Sequence, residues 1–193
     1  MKIFSRLYQL ALTWAKYPRA TRYLAALSFA ESSFFPIPPD VMLAPMVLAQ
    51  RERAWVLATI TTIWSVLGGI AGYLIGMFLF NVAATPLIQF YDAEEAFEVA
   101  RAQFQSHGVW IVFLAGFTPI PYKLFTISAG LASMSLLPFV AASLIGRGAR
   151  FFLVAGLIYA GGERLESQLR HYADAIGWSV LVLAGLTLLW IYV

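Results

Sequence analysis

Two pentads constrain this chain more than any other feature: Pro36-Ile37-Pro38-Pro39-Asp40 and Pro119-Ile120-Pro121-Tyr122-Lys123. Each begins Pro-Ile-Pro, lies inside a long apolar run and ends on a charge, acidic in the first copy and basic in the second. Proline has no amide N–H, and its ring clashes with the preceding turn, so neither run can pass through as one straight helix. We read both pentads as bends of broken helices inside a membrane, with Pro36, Pro38 and Pro39 forming the first and Pro119, Pro121 and Tyr122 the second. Their charges are expected to meet.

Composition supports the membrane. Of 193 residues, 61% are hydrophobic and 12% charged, against roughly a quarter charged in soluble domains; mean hydropathy is +0.76. With no cysteine, disulfides, Cys–zinc sites, iron–sulfur clusters and thiol catalysis are excluded. The net charge of +3 is uneven, since Lys2, Arg6, Lys16, Arg19 and Arg22 precede any acid. The apolar spacing of Ile3, Leu7, Leu10, Ala11 and Trp14 among these bases points to a membrane surface and away from nucleic acid.

Read in order, residues 1–22 form an amphipathic interfacial helix and residues 23–160 a membrane core. Residues 161–193 form a mixed-charge loop and a last apolar helix. Within the core, Tyr23–Phe35 and Val41–Ala49 are each too short to span. Joined at the bend they make a re-entrant hairpin that enters and leaves on one side. Three prolines in residues 36–39, with Glu31 and Asp40, weigh against a single kinked span. Residues 54–80 carry no charge and are the first convincing span. Gly68, Gly72 and Gly76 on it suit close helix packing, within the chain or between copies of a homo-oligomer. The acidic stretch around Asp92, Glu94, Glu95 and Glu98 reads as a loop with a short surface helix. Val109–Thr118 and Lys123–Met134 then repeat the hairpin. Residues 136–160 repeat the span, interrupted at Gly146-Arg147-Gly148-Ala149-Arg150. The expected fold is therefore all-α: an inverted repeat (23–80 and 108–160) of hairpin plus transmembrane helix, as in many transporters. The positive-inside rule puts the basic N-terminus, Arg51 and Arg53 in the cytoplasm and the acidic loop outside.

Five ionisable residues fall inside apolar segments: Glu31, Asp40, Lys123, Arg147 and Arg150. Unpaired at a lipid-exposed helix centre, each would cost about 2.5–3.5 kcal/mol. They should therefore converge on one another or on a wet cavity. Two acids against three bases leave one positive charge, which suits an anion, and the anion a membrane supplies is a lipid phosphate. Half-helix N-termini at the bends would add to the positive potential. The plainer alternatives are that Arg147 and Arg150 snorkel to the surface and that Asp40 only caps the helix after it.

These residues carry a resemblance. Glu31 ahead of Phe35–Asp40, the run Phe117–Lys123, and the Arg147/Arg150 pair before Phe151 resemble the DedA (VTT-domain, SNARE-associated) membrane proteins, their YqaA-like branch in particular, over residues 24–160. The resemblance implies a bacterial inner-membrane protein with two re-entrant hairpins. It also implies the flipping or scrambling of undecaprenyl phosphate or phospholipid, with proton coupling, and makes Glu31 and Asp40 the acids that matter. Many members have an arginine two residues before the proline that aligns with Pro119. Here that position is Phe117, so Arg147 and Arg150 are the candidates to supply the guanidinium.

The leading function is therefore a flippase or scramblase for a phosphate-bearing lipid. The alternative is a proton-coupled transporter of an ion or small solute. An enzyme is disfavoured because no acid–His–nucleophile arrangement, metal-ligand spacing or phosphate-cradling loop occurs around His107, His171 or elsewhere. No cofactor or metal is expected.

Overall fold

The computed structural model describes residues 14–15, 17, 19–79, 82, 94–118 and 120–161. The described residues are helical, with no strand among them. The expected N-terminal helix over 1–22 falls mostly outside the described residues, and the expected C-terminal helix entirely so.

The first apolar run folds as two short helices, α1 (Ala20–Ser33) and α2 (Asp40–Ala49). The break follows from the sequence. The amides of Phe34 and Phe35 both donate to Ala30 O at 2.8 Å, and beyond them three prolines have no N–H to give. Pro39 sits at the start of α2 with φ −66°, a value its ring fixes and a helix start accepts. The amides of Met42 and Leu43 donate to its carbonyl. The two feet of this hairpin meet, since the side-chain amide of Gln50 donates to Ala15 O at 2.7 Å. An apolar cluster that includes Leu24, Leu43, Met46, Leu57 and Phe151 seals them.

A 3₁₀ turn at Arg51–Arg53 leads into α3 (Ala54–Leu79), 26 residues long. At about 1.5 Å per residue it reaches roughly 39 Å, enough to cross a hydrocarbon core of about 30 Å. Its glycines are the seats of both hairpins. A Cβ on Gly68 would stand 2.1 Å from Phe29 O in α1, and one on Gly76 2.1 Å from Ile127 O in the second hairpin. Gly72, between them, would meet the Thr126 hydroxyl at 2.3 Å. The stripe therefore packs within the chain.

The second hairpin is α4 (Glu94–Phe117) and α5 (Tyr122–Leu131). Here the structure differs from expectation. The residues from Glu94 to Val109, expected as a loop with a short surface helix, instead continue into the entering half: α4 is one helix of 24 residues, with no proline between Glu94 and Phe117 to break it. Tyr122, expected in the bend, instead opens α5 and is fully buried. Ser133 closes α5 in the left-handed region, φ 53°. There its own amide donates to Gly130 O and that of Met134 to Ala129 O, which satisfies the last carbonyls of the helix. The feet of this hairpin meet at the other end of α3: the Tyr73 hydroxyl donates to Met134 O, and Gln105 to Ala132 O at 3.5 Å.

The last described helix, α6 (Leu136–Gly161), runs back along α3. Phe139 lies 5.2 Å from Tyr73, and Phe152 6.0 Å from Trp55, ring centre to ring centre. The expected interruption at residues 146–150 is absent and α6 is continuous there. Its glycine at 146 serves approach, not a break: a Cβ there would stand 2.5 Å from Phe113 O of α4. α3 and α6 are both long and apolar enough to cross a membrane, and their outward sides expose Ile63, Leu74, Phe78, Ile145, Leu153 and Leu157.

Candidate functional site

The two bends come together beside the middle of α3 and line a half-open cavity of about 170 Å³. Glu31, Asp40, Lys123, Arg147 and Arg150 all line it, as do Pro36, Pro38 and Pro121. Pro119 lies outside the described residues. The charged residues therefore share one cavity, as the insertion argument requires. The partners, however, are not the ones expected from the pentads.

Ser143, Arg147 and Phe151 recur every four residues along one side of α6 and face inward. Arg147 is 3% exposed. Its Nη2 donates to Glu31 Oε2 and, at 3.4 Å, to Ser32 Oγ. Its Nε donates to Ser65 Oγ of α3 at 2.5 Å. The guanidinium also lies 4.9 Å from the ring centre of Tyr122 and 4.7 Å from that of Phe151, within cation–π range of each. The Tyr122 hydroxyl is in turn fixed by a short hydrogen bond to Ser143. One buried arginine thus ties α1, α3, α5 and α6 together.

Arg150, one turn on, reaches the two bends. Its Nη2 donates to Asp40 Oδ2 at 2.9 Å, and its Nη1 to Phe117 O, at the C-terminal end of α4, at 3.4 Å. Neither plainer alternative holds for these residues. Arg150 is paired inside the cavity, and Asp40 makes no side-chain cap on α2. Lys123 is not Asp40's partner. Its Nζ reaches Phe34 O at the end of α1, at 3.5 Å, where the helix dipole favours a cation. Among the described residues Lys123 has no carboxylate in ion-pair contact, so the surplus positive charge of the cavity resides there.

Sequence reasoning missed the hydroxyls. Ser32 and Ser65 donate and accept across 2.7 Å, Ser28 donates to Thr61 O, and Thr126 bridges the hairpins by donating to Ser32 O at 3.1 Å. A signal was present: Ser28 and Ser32 on α1 repeat at the same four-residue spacing as Thr61 and Ser65 on α3. Two apolar helices that carry matched hydroxyls can pair them out of contact with lipid.

A bundle of apolar helices, two of them long enough to cross a membrane, with two bends and a charged cavity between them, is the architecture of a membrane protein. The VTT domain family model matches residues 37–160, and this chain belongs to that family. It is 44% identical over 184 residues to an uncharacterized protein of Haemophilus influenzae, covering 95% of each chain. It is 42% identical over 184 residues to an uncharacterized protein of Histophilus somni, covering 95% of this chain and 96% of that one. No solved structure matches it.

Proposed function

We propose that this protein carries a lipid with a phosphate headgroup, such as undecaprenyl phosphate or a phospholipid, across the bacterial inner membrane. The observation that supports this most is the charge balance of the cavity. Two carboxylates meet two guanidiniums, and Lys123 is left over at the tip of α5. An anion entering there gains a cation without displacing an ion pair at that residue. The rim suits a lipid as well: Phe35, Ile37 and Ile120 are about a third to a half exposed, so an acyl or prenyl chain can lie against the bends while the headgroup sits inside. In this reading each hairpin is re-entrant, dipping from one face of the membrane to mid-depth, with the N-terminus cytoplasmic. The carboxylates beside the bases give a place for proton coupling.

A second reading, proton-coupled transport of an ion or small solute, is favoured by one feature. The cavity is small, with room for a compact anion or a few waters. Reconstitution into vesicles separates the two. On the lipid reading, a fluorescent phosphate-bearing lipid changes leaflet with the wild-type protein, and Lys123→Ala slows this by about tenfold, the value of one charge-assisted hydrogen bond. Vesicles that take up protons with a solute while no lipid moves would replace the lipid reading by the second.

A further inference from the structure

The two ion pairs of the cavity are held in different ways. Arg147 is locked: its side chain is 3% exposed and that of Glu31 10%, three acceptors take its N–H groups, and two rings face it. Arg150 and Asp40 are looser, with side chains 17% and 23% exposed. They share one hydrogen bond, where an arginine and a carboxylate can make two in parallel. The second halves of the fork are unmet: Asp40 Oδ1 and Arg150 Nε are both buried with no hydrogen-bond partner. Buried polar atoms without partners are costly and uncommon. Here both belong to the one pair that reaches the two bends.

We infer that Asp40 is an internal stand-in for the transported anion: it occupies Arg150 and is displaced from it when a phosphate enters. This rests on the phosphate reading of the cavity. A phosphate has oxygens enough to accept from Nη2 and Nε of Arg150 together while another faces Lys123. The Asp40 carboxylate meets one of those donors only. Arg147 takes no part in the exchange, because moving it would leave the Glu31 carboxylate without its counter-ion and break the hydrogen bonds to Ser32 and Ser65 at once. Asp40 then sets affinity by competition, and Glu31 serves as a positioning residue for Arg147.

The test is calorimetric titration of the full-length protein in nanodiscs with inorganic phosphate and, separately, with dodecyl phosphate. Asp40→Asn removes the competing charge and keeps the shape, so it should bind the phosphate probe about tenfold tighter than wild type or better. Glu31→Gln should not tighten binding. A gain confined to dodecyl phosphate assigns a lipid headgroup, and an equal gain with inorganic phosphate assigns a free anion. Equal or weaker binding by Asp40→Asn, no binding by either protein, or the same tightening in Glu31→Gln overturns the inference. Asp40→Ser carries the same expectation should the asparagine variant not fold, as judged by its thermal unfolding. The outcome is separable from the transport reading. Tightening without lipid movement in vesicles keeps the displacement and removes the flippase; lipid movement without tightening does the reverse.

Discussion

At the residue scale, the weight of the site rests on Arg147. A buried charge with its partner removed is left uncompensated, and such losses run to about 3–5 kcal/mol. Glu31→Ala should therefore lower stability toward unfolding in mild detergent by that order, read from the midpoint of a denaturant or thermal transition. Replacing both, as Glu31→Leu with Arg147→Met, should restore much of the loss, because an apolar pair of similar volume needs no ion pairing. If the double variant were no better than Glu31→Ala, the loss would have another source. Glu31 and Arg147 were legible as charges in apolar runs. Ser143 was not, since a serine in an apolar helix satisfies itself on its own backbone as readily as on a neighbour; for Ser65 only its spacing from Thr61, matched by Ser28 and Ser32, gave a sign.

At the element scale, the glycines on α3 decide how closely the hairpins seat. Gly68 and Gly76 face backbone oxygen, which cannot move aside as a flexible side chain can. Gly68→Ala and Gly76→Ala should each destabilise by about 1–3 kcal/mol or more, measured by thermal unfolding. Gly148→Ala is the contrast. Its Cβ would meet only the Thr62 methyl at 3.6 Å, an ordinary contact, and alanine is the better helix former by about 1 kcal/mol. It should be neutral or stabilising, and a loss as large as that of Gly68→Ala would contradict this account of the packing. The stripe itself was legible in the sequence. That it receives α1 at one level and α5 at another was not, because spacing along one helix says nothing about which partner fills the groove.

At the scale of the whole molecule, the feet of the two hairpins lie at opposite ends of α3, Ala15 with Gln50 and Gln105 with Ala132. If α3 crosses the membrane as its length allows, the hairpins start from opposite faces. The chain has no cysteine, so single replacements report cleanly. Gln50→Cys should react with a membrane-impermeant maleimide from the cytoplasmic side only, and Gln105→Cys from the outside only. Labelling of both from one side would remove the re-entrant arrangement and the inverted repeat with it.

The sequence by itself determined that the chain is helical and membrane-bound, where its first apolar run must break, and that its interior charges must share a refuge. These follow from proline stereochemistry and the cost of charge in hydrocarbon, both of which act locally. Only the tertiary structure decided the pairing: Asp40 with Arg150, Glu31 with Arg147, and Lys123 against a carbonyl. It also decided that α4 and α6 run unbroken through stretches that looked like interruptions. Pairing depends on which helix faces reach one another after packing, and a glycine inside a helix can mark a close approach, as Gly146 does to Phe113 O, as well as a break.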